Sequence, residues 1–116
     1  MLDRYSKKAI MGVQFSFAIE NSIQPNYFTE KLLDCFAHKV VPIYWGCPNI
    51  DEFFHPQGIL QFETIEELKD LLITIDEFTY DSMIDYVEEN YNRVINGKYN
   101  GGFIERIGRE VQSYID

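Results

Sequence analysis

Two β-rich apolar runs bracket one helical segment, and that order constrains the fold more than any other feature of the chain. "VQFSFAI", Val13 to Ile19, alternates and is rich in Val, Phe and Ile, so it reads as a strand. "KVVPIYW", Lys39 to Trp45, is continuous and reads as a second, buried strand. Pro42 is awkward there, because it removes a donor from a central ladder. Between them Thr29 opens a helix to about His38, with Phe28, Leu32, Cys35, Phe36 and Val40 at helical spacing. Strand, helix, strand in this order predicts parallel neighbours joined by a right-handed crossover.

Downstream, "NIDEFF" after Pro48 suits one helical turn capped by Asn49. "GILQF", Gly58 to Phe62, reads as a third short strand. "TIEE" matches a capping box, Thr64 with Glu67, ahead of Leu68, Leu71, Leu72 and Ile75. A long amphipathic helix is expected from Thr79 to Ile95, ended by Gly97, and a last helix from about Gly102 to Ile115. The pattern predicts an α/β fold, a parallel sheet flanked by helices. No linker or repeat divides residues 1–116, so one domain is expected. Three strands are few for such a sheet, and the chain is expected to be part of a larger domain or half of a two-domain enzyme.

Charge narrows the partners. The 116 residues carry a formal net charge of −9, which argues against a nucleic-acid partner, since a phosphate backbone needs a basic face. One bound nucleotide needs only a local positive spot. Cys35 and Cys47 lack metal or redox spacing and read as free thiols of a reducing compartment, the cytoplasm. No window approaches the roughly 18 apolar residues of a transmembrane helix. "MLDRYSKKAIMG" lacks the apolar core of a signal peptide.

The polar stretch "ENSIQPNYFTEK", Glu20 to Lys31, lies where chemistry is expected. In open parallel sheets, ligands bind beyond the carboxyl ends of the strands. Glu20 and Asn21 end the first strand, Gly46 and Cys47 the second, and Glu30 and Lys31 open the helix, so all three places should face one crevice. A helix N terminus disfavours a cation by roughly 0.3–1 kcal/mol, so Lys31 stands out there. A bound anion would account for it: phosphates sit at helix N termini on backbone N–H groups, and a lysine adds a point charge. Glu30 could then accept hydrogen bonds from sugar hydroxyls. The alternative is a solvated lysine on an exposed turn.

The block "FSFAIENSIQPNYFTEKLLDCFAHKVVPIYWGCPNIDEFF", Phe15 to Phe54, resembles the donor-binding core of glycosyltransferase family 10, the α-1,3/1,4-fucosyltransferases. That family shows an aromatic strand into "FENS", then "Y-x-TEK", "PIYWG" and "PNI". The resemblance implies a Rossmann-like domain, the C-terminal half of a GT-B enzyme, that binds GDP-fucose. It implies that Lys31 contacts the donor diphosphate and Glu30 the ribose hydroxyls. Tyr27 and Asn21 would line the pocket, with Glu20 nearby. It also implies inverting transfer of fucose to a glycan acceptor, with no required cofactor or metal. The general base would lie in an N-terminal acceptor domain or partner chain, and a longer eukaryotic protein of this kind would work in the Golgi lumen. A transferase using another GDP-sugar, or a non-catalytic nucleotide-sugar-binding module, are the rival readings. This chain departs from the family at Ile19, often phenylalanine, and at "AHKVVP", where a small or glycine-containing turn is commoner. Arg4 lies too close to the motif block to match the family's upstream phosphate-binding arginine.

Other polar residues carry less. His38 and His55 lack carboxylates at ligand spacing and read as a helix-end and a loop histidine. Tyr44 and Trp45 read as core aromatics, with guanine stacking as the alternative. No GxGxxG or GxxxxGK[ST] motif is present.

Overall fold

The structure, a computed structural model, describes residues 11–96. The helix expected from Gly102 to Ile115 and the stop at Gly97 lie outside the described residues. Strand β1 spans Phe15–Ile19, helix α1 Glu30–Ala37, β2 Val41–Trp45 and β3 Leu60–Gln61; helices α2, Ile65–Thr74, and α3, Thr79–Asn96, follow. The strands form a parallel sheet in the order β1-β2-β3, with Phe15 opposite Val41 and Ile43 opposite Leu60. This is the expected α/β architecture, a parallel sheet flanked by helices, in partial form.

Strand alternation divides the core in two. Ala18 and Tyr44 face α1 and pack with Leu32, Leu33, Phe36 and Phe54. Phe15, Val41 and Ile43 face the other way and pack with Phe62, Ile75, Met83 and Val87. Helix α3 reaches both layers, because Val94 joins the α1 side while Met83 and Val87 join the other. On β1 the second face is only partly covered: Phe17 and Ile19 are 48% and 46% exposed.

Pro42 lies in the middle strand after all, and the ladder shows why it fits. Val41 N–H donates to Gln14 O and Phe62 N–H donates to Tyr44 O, so odd residues of β2 pair with β1 and even ones face β3. The donor that Pro42 lacks would point to the β3 side, where pairing begins only at Ile43 and Leu60. The other difference of detail is the turn after α1. Lys39 takes a left-handed φ of 56°. Lys39 N–H bonds Phe36 O at 3.1 Å and Val40 N–H bonds Cys35 O at 2.9 Å, the Schellman pattern that usually carries glycine. Tyr80 of α3 holds it, donating to Lys39 O at 2.6 Å, and Glu88 pairs with the Lys39 ammonium at 2.9 Å.

The expected helical turn after Pro48 is a short 3-10 turn, Ile50–Glu52, and Asn49 makes no side-chain cap to it. The third strand is shorter than expected because Gly58 belongs to a second 3-10 turn, Pro56–Gly58. Thr64 caps α2 through Glu67 N–H at 3.1 Å, while Glu67 reaches back to Glu63 N–H rather than to the cap residue's own. Asn90 is fully buried on α3 and clamps His55 from both sides. Its Oδ1 accepts from His55 N–H at 2.7 Å and its Nδ2 donates to His55 O at 3.0 Å. Asn90→Ala strands both backbone groups and should cost about 2–6 kcal/mol, at roughly 1–3 per unsatisfied group, read as a shift of the urea midpoint.

Candidate functional site at the strand ends

Glu20 follows the last residue of β1 and shares the face of Ala18, so its side chain points under α1. It is 2% exposed. Its carboxylate accepts from Thr29 N–H at 2.8 Å, Thr29 Oγ1 at 2.6 Å and Tyr44 OH at 3.1 Å. Burying a carboxylate is costly unless donors replace its water, and three do. Tyr44 OH in turn accepts from Cys47 N–H at 3.1 Å. One buried carboxylate therefore ties the end of β1, the cap of α1 and the end of β2 together.

Gly46 is part of the same arrangement. A Cβ there would lie 2.4 Å from Glu20 Cγ and 2.7 Å from Tyr44 OH. Burial first, and then the Glu20 carboxylate beside it, holds the Tyr44 phenol well above its usual pKa. Tyr44 is fully buried and so offers no face to a guanine; Trp45 is only partly buried and packs on the α3 side of the sheet.

Above this brace, the loop from Asn21 to Phe28 arches from β1 to α1. Thr29 is the N-cap. Its hydroxyl accepts from Lys31 N–H at 3.3 Å and its carbonyl from Leu32 N–H at 3.1 Å. Thr29 thus occupies first-turn donors expected to meet an anion, which leaves more of that task to the side chain of Lys31. The Lys31 ammonium bends back over the loop and donates to Asn21 Oδ1 at 3.2 Å. That partner is a neutral amide, so the contact positions the positive charge without cancelling it. Glu30 is exposed at the first helical position, and Tyr27 is half-buried two residues before the cap.

Of the five sequence candidates, Asn21 and Lys31 are joined directly, and Tyr27 and Glu30 lie on the same loop and helix start. Glu20 sits beneath them, engaged by Thr29 and Tyr44, and supports the site from inside. Sequence reasoning missed Thr29 and Tyr44 as its partners. The period-2 register of β1 was the available signal, since it puts Glu20 on the buried face of Ala18. The histidines lie elsewhere: His38 caps α1 with Nδ1 2.8 Å from Asp34 O, and His55 Nδ1 accepts from Gln57 N–H at 3.2 Å. Among the described residues no cluster of three or more His, Cys, Asp or Glu could hold a metal ion. A concavity of about 580 Å³ along α3 is lined by Asp85, Glu88, Glu89, Asn92, Arg93 and Asn96. With three carboxylates to one guanidinium it suits an anion poorly.

Two outcomes follow from the brace. Glu20→Ala leaves buried donors without an acceptor and should cost about 3 kcal/mol in chemical denaturation. The Tyr44 phenol titrates higher folded than unfolded. Its contribution is therefore complete below about pH 10, the unfolded value, and is lost as pH rises beyond it. Stability should fall above pH 10, and Tyr44→Phe should flatten that decline relative to wild type.

Comparison with known proteins agrees with this fold. The family model described as "Glycosyltransferase family 10 (fucosyltransferase) C-term" matches residues 2–94. An α-(1,3)-fucosyltransferase of Helicobacter pylori is 29% identical over 90 residues, 73% of this chain and 18% of the relative. An α-(1,4)-fucosyltransferase of Arabidopsis thaliana is 35% identical over 63 residues, 52% of this chain and 16% of the relative. A crystal structure of an α1,3-fucosyltransferase with GDP-fucose superimposes with a TM-score of 0.54 at 27% identity, covering 73% of this chain and 26% of that one. A crystal structure of an α1,3-fucosyltransferase with GDP superimposes with a TM-score of 0.53, covering 66% of this chain and 23% of that one. The chain thus spans about a fifth of the length of the curated relatives it matches. On the family match, which covers most of its length, this chain belongs to glycosyltransferase family 10, the fucosyltransferases.

Proposed function

We propose that residues 1–116 form the donor-nucleotide-binding domain of a fucosyltransferase, and that it binds GDP-fucose for inverting transfer to a hydroxyl of a glycan acceptor. The observation that carries this is the Lys31 ammonium, held by Asn21 over the N terminus of α1 and beyond the carboxyl ends of β1 and β2. Lys31 neutralises the diphosphate, both in the ground state and as it leaves. The partial positive charge of the helix end adds to it. Glu30 accepts hydrogen bonds from the ribose hydroxyls, and Tyr27 and Asn21 line the same pocket. Glu20 acts beneath them. These residues read the nucleotide, so another GDP-sugar is the alternative donor. Lysine and helix end supply the charge stabilisation for which a metal would otherwise serve.

The acceptor hydroxyl needs a base within about 2.6–3.2 Å. We assign that base to an N-terminal acceptor domain or partner chain, because Glu20 is enclosed and Glu30 is committed to the ribose. Among the described residues β1 is an edge strand of the sheet, and its half-exposed Phe17 and Ile19 support a larger assembly. Both thiols are free and buried, and burial, followed by the Asp34 charge, raises the Cys35 pKa to about 11. We read this as a chain of a reducing compartment, the cytoplasm.

Calorimetry with GDP-fucose, GDP, UDP and ADP tests the donor assignment. Guanine nucleotides should bind most tightly, and equal affinities would sink it. Lys31→Ala should weaken GDP by roughly 1.5–3 kcal/mol, as for a hydrogen bond to a charged group, with unfolding unchanged. Incubated with GDP-fucose and an N-acetyllactosamine-type acceptor, the 116-residue chain should give no fucosylated product by mass spectrometry. Robust turnover would place a base within the chain.

A further inference from the structure

Asn49 has an occupation that capping does not explain. Its Oδ1 accepts from Asn26 N–H at 2.8 Å and from the Cys47 thiol at 3.1 Å. Its Nδ2 donates to Asn26 Oδ1 at 2.8 Å and to Glu52 Oε2 at 2.8 Å. A side-chain amide has two acceptor sites and two donor hydrogens, and all four are in use. The orientation is forced: a backbone N–H must meet the oxygen, and a carboxylate must meet the nitrogen.

The residue Asn49 grips is the one in the loop from Asn21 to Phe28 with a positive φ. Asn26 has a φ of 64°, a left-handed conformation that glycine, and after it asparagine, adopts most readily. Such a conformation persists where its surroundings enforce it. Tyr27, the next residue, inherits its direction from that turn, and its N–H closes on Gln24 O at 3.3 Å. The loop is thus pinned at its base by Glu20 and Thr29, and at its tip by an amide 23 residues further along the chain.

We infer that Asn49 is a positioning residue for the donor site: acting through Asn26, it holds the loop tip so that Tyr27 meets the nucleotide in its binding conformation. This rests on the donor-site reading above. A loop that reaches the competent conformation only part of the time binds more weakly by that fraction. Asn49→Ala therefore removes affinity without touching ligand.

The test uses the 116-residue chain, with GDP as the probe. Affinity is read by calorimetry, and exchange of the Asn26 and Tyr27 amide hydrogens by NMR. Asn49→Ala should weaken GDP about tenfold and speed exchange at Asn26, with little change in thermal midpoint. Asn49→Asp keeps an acceptor for Asn26 N–H but sets a second carboxylate against Glu52, and should also weaken GDP. Adding Glu52→Gln restores a donor opposite the new carboxylate and returns the local charge to its starting value. Affinity in that double variant should recover to within about twofold of wild type, which loss of fold could not produce. If wild type binds GDP and Asn49→Ala binds it equally, or if Asn26 exchange is unchanged, the inference falls while the donor reading stands. If wild type shows no preference for GDP over UDP, the donor reading falls and the inference with it.

Discussion

A single buried carboxylate organises the functional end of this domain. Glu20 could be tolerated inside only if donors replaced the water it gave up, and Thr29 and Tyr44 provide them. The donors come from the cap of α1 and from β2, so satisfying a charge at the end of β1 fixes three elements at once. The Tyr44 hydroxyl lies deep enough to accept from Cys47 N–H and so shapes the chain where it leaves β2. Gly46 lacks a side chain at the one place where a Cβ would collide with both partners.

What lies above this brace is consequently set in advance. Thr29 serves both layers: it donates downward to Glu20 and accepts upward from Lys31 N–H. Lys31 is thereby held to a defined first turn, and Asn21 orients its ammonium. Pre-organisation of this kind lowers the ordering cost that a flexible ligand such as a nucleotide sugar would otherwise impose on the loop. On the proposed donor reading, a cation at this end of a helix has its reason, since the same field that repels lysine attracts a diphosphate.

Much of this was legible in the sequence, and the parts that were not have physical reasons. The strand–helix–strand unit, the Thr29 and Thr64 caps and α3 follow from periodicity and capping chemistry, which are local. Lys31 was legible as an anomaly, because the helix dipole makes a prediction that the residue violates. The inward turn of Glu20 could have been read from the parity of Ala18, but a polar residue at a strand end invites an outward reading. Pro42 looked misplaced because the direction of a missing donor depends on where a neighbouring strand begins. The left-handed Lys39 carries no glycine to announce it and relies on Tyr80 and Glu88 from another helix. Asn49 looked like a local cap, while its real partner, Asn26, lies far back in the chain, and such pairing leaves no local trace.

In the proposed donor site, diphosphate, loop and helix end meet over the Glu20 brace. Titrating isotope-labelled chain with GDP while following amide and lysine-ammonium NMR shifts tests it most directly. The largest changes should fall on residues 21–31 and on the Lys31 ammonium, with smaller ones at 46–49. A binding response centred instead on α3, around Glu88 to Asn92, would contradict it.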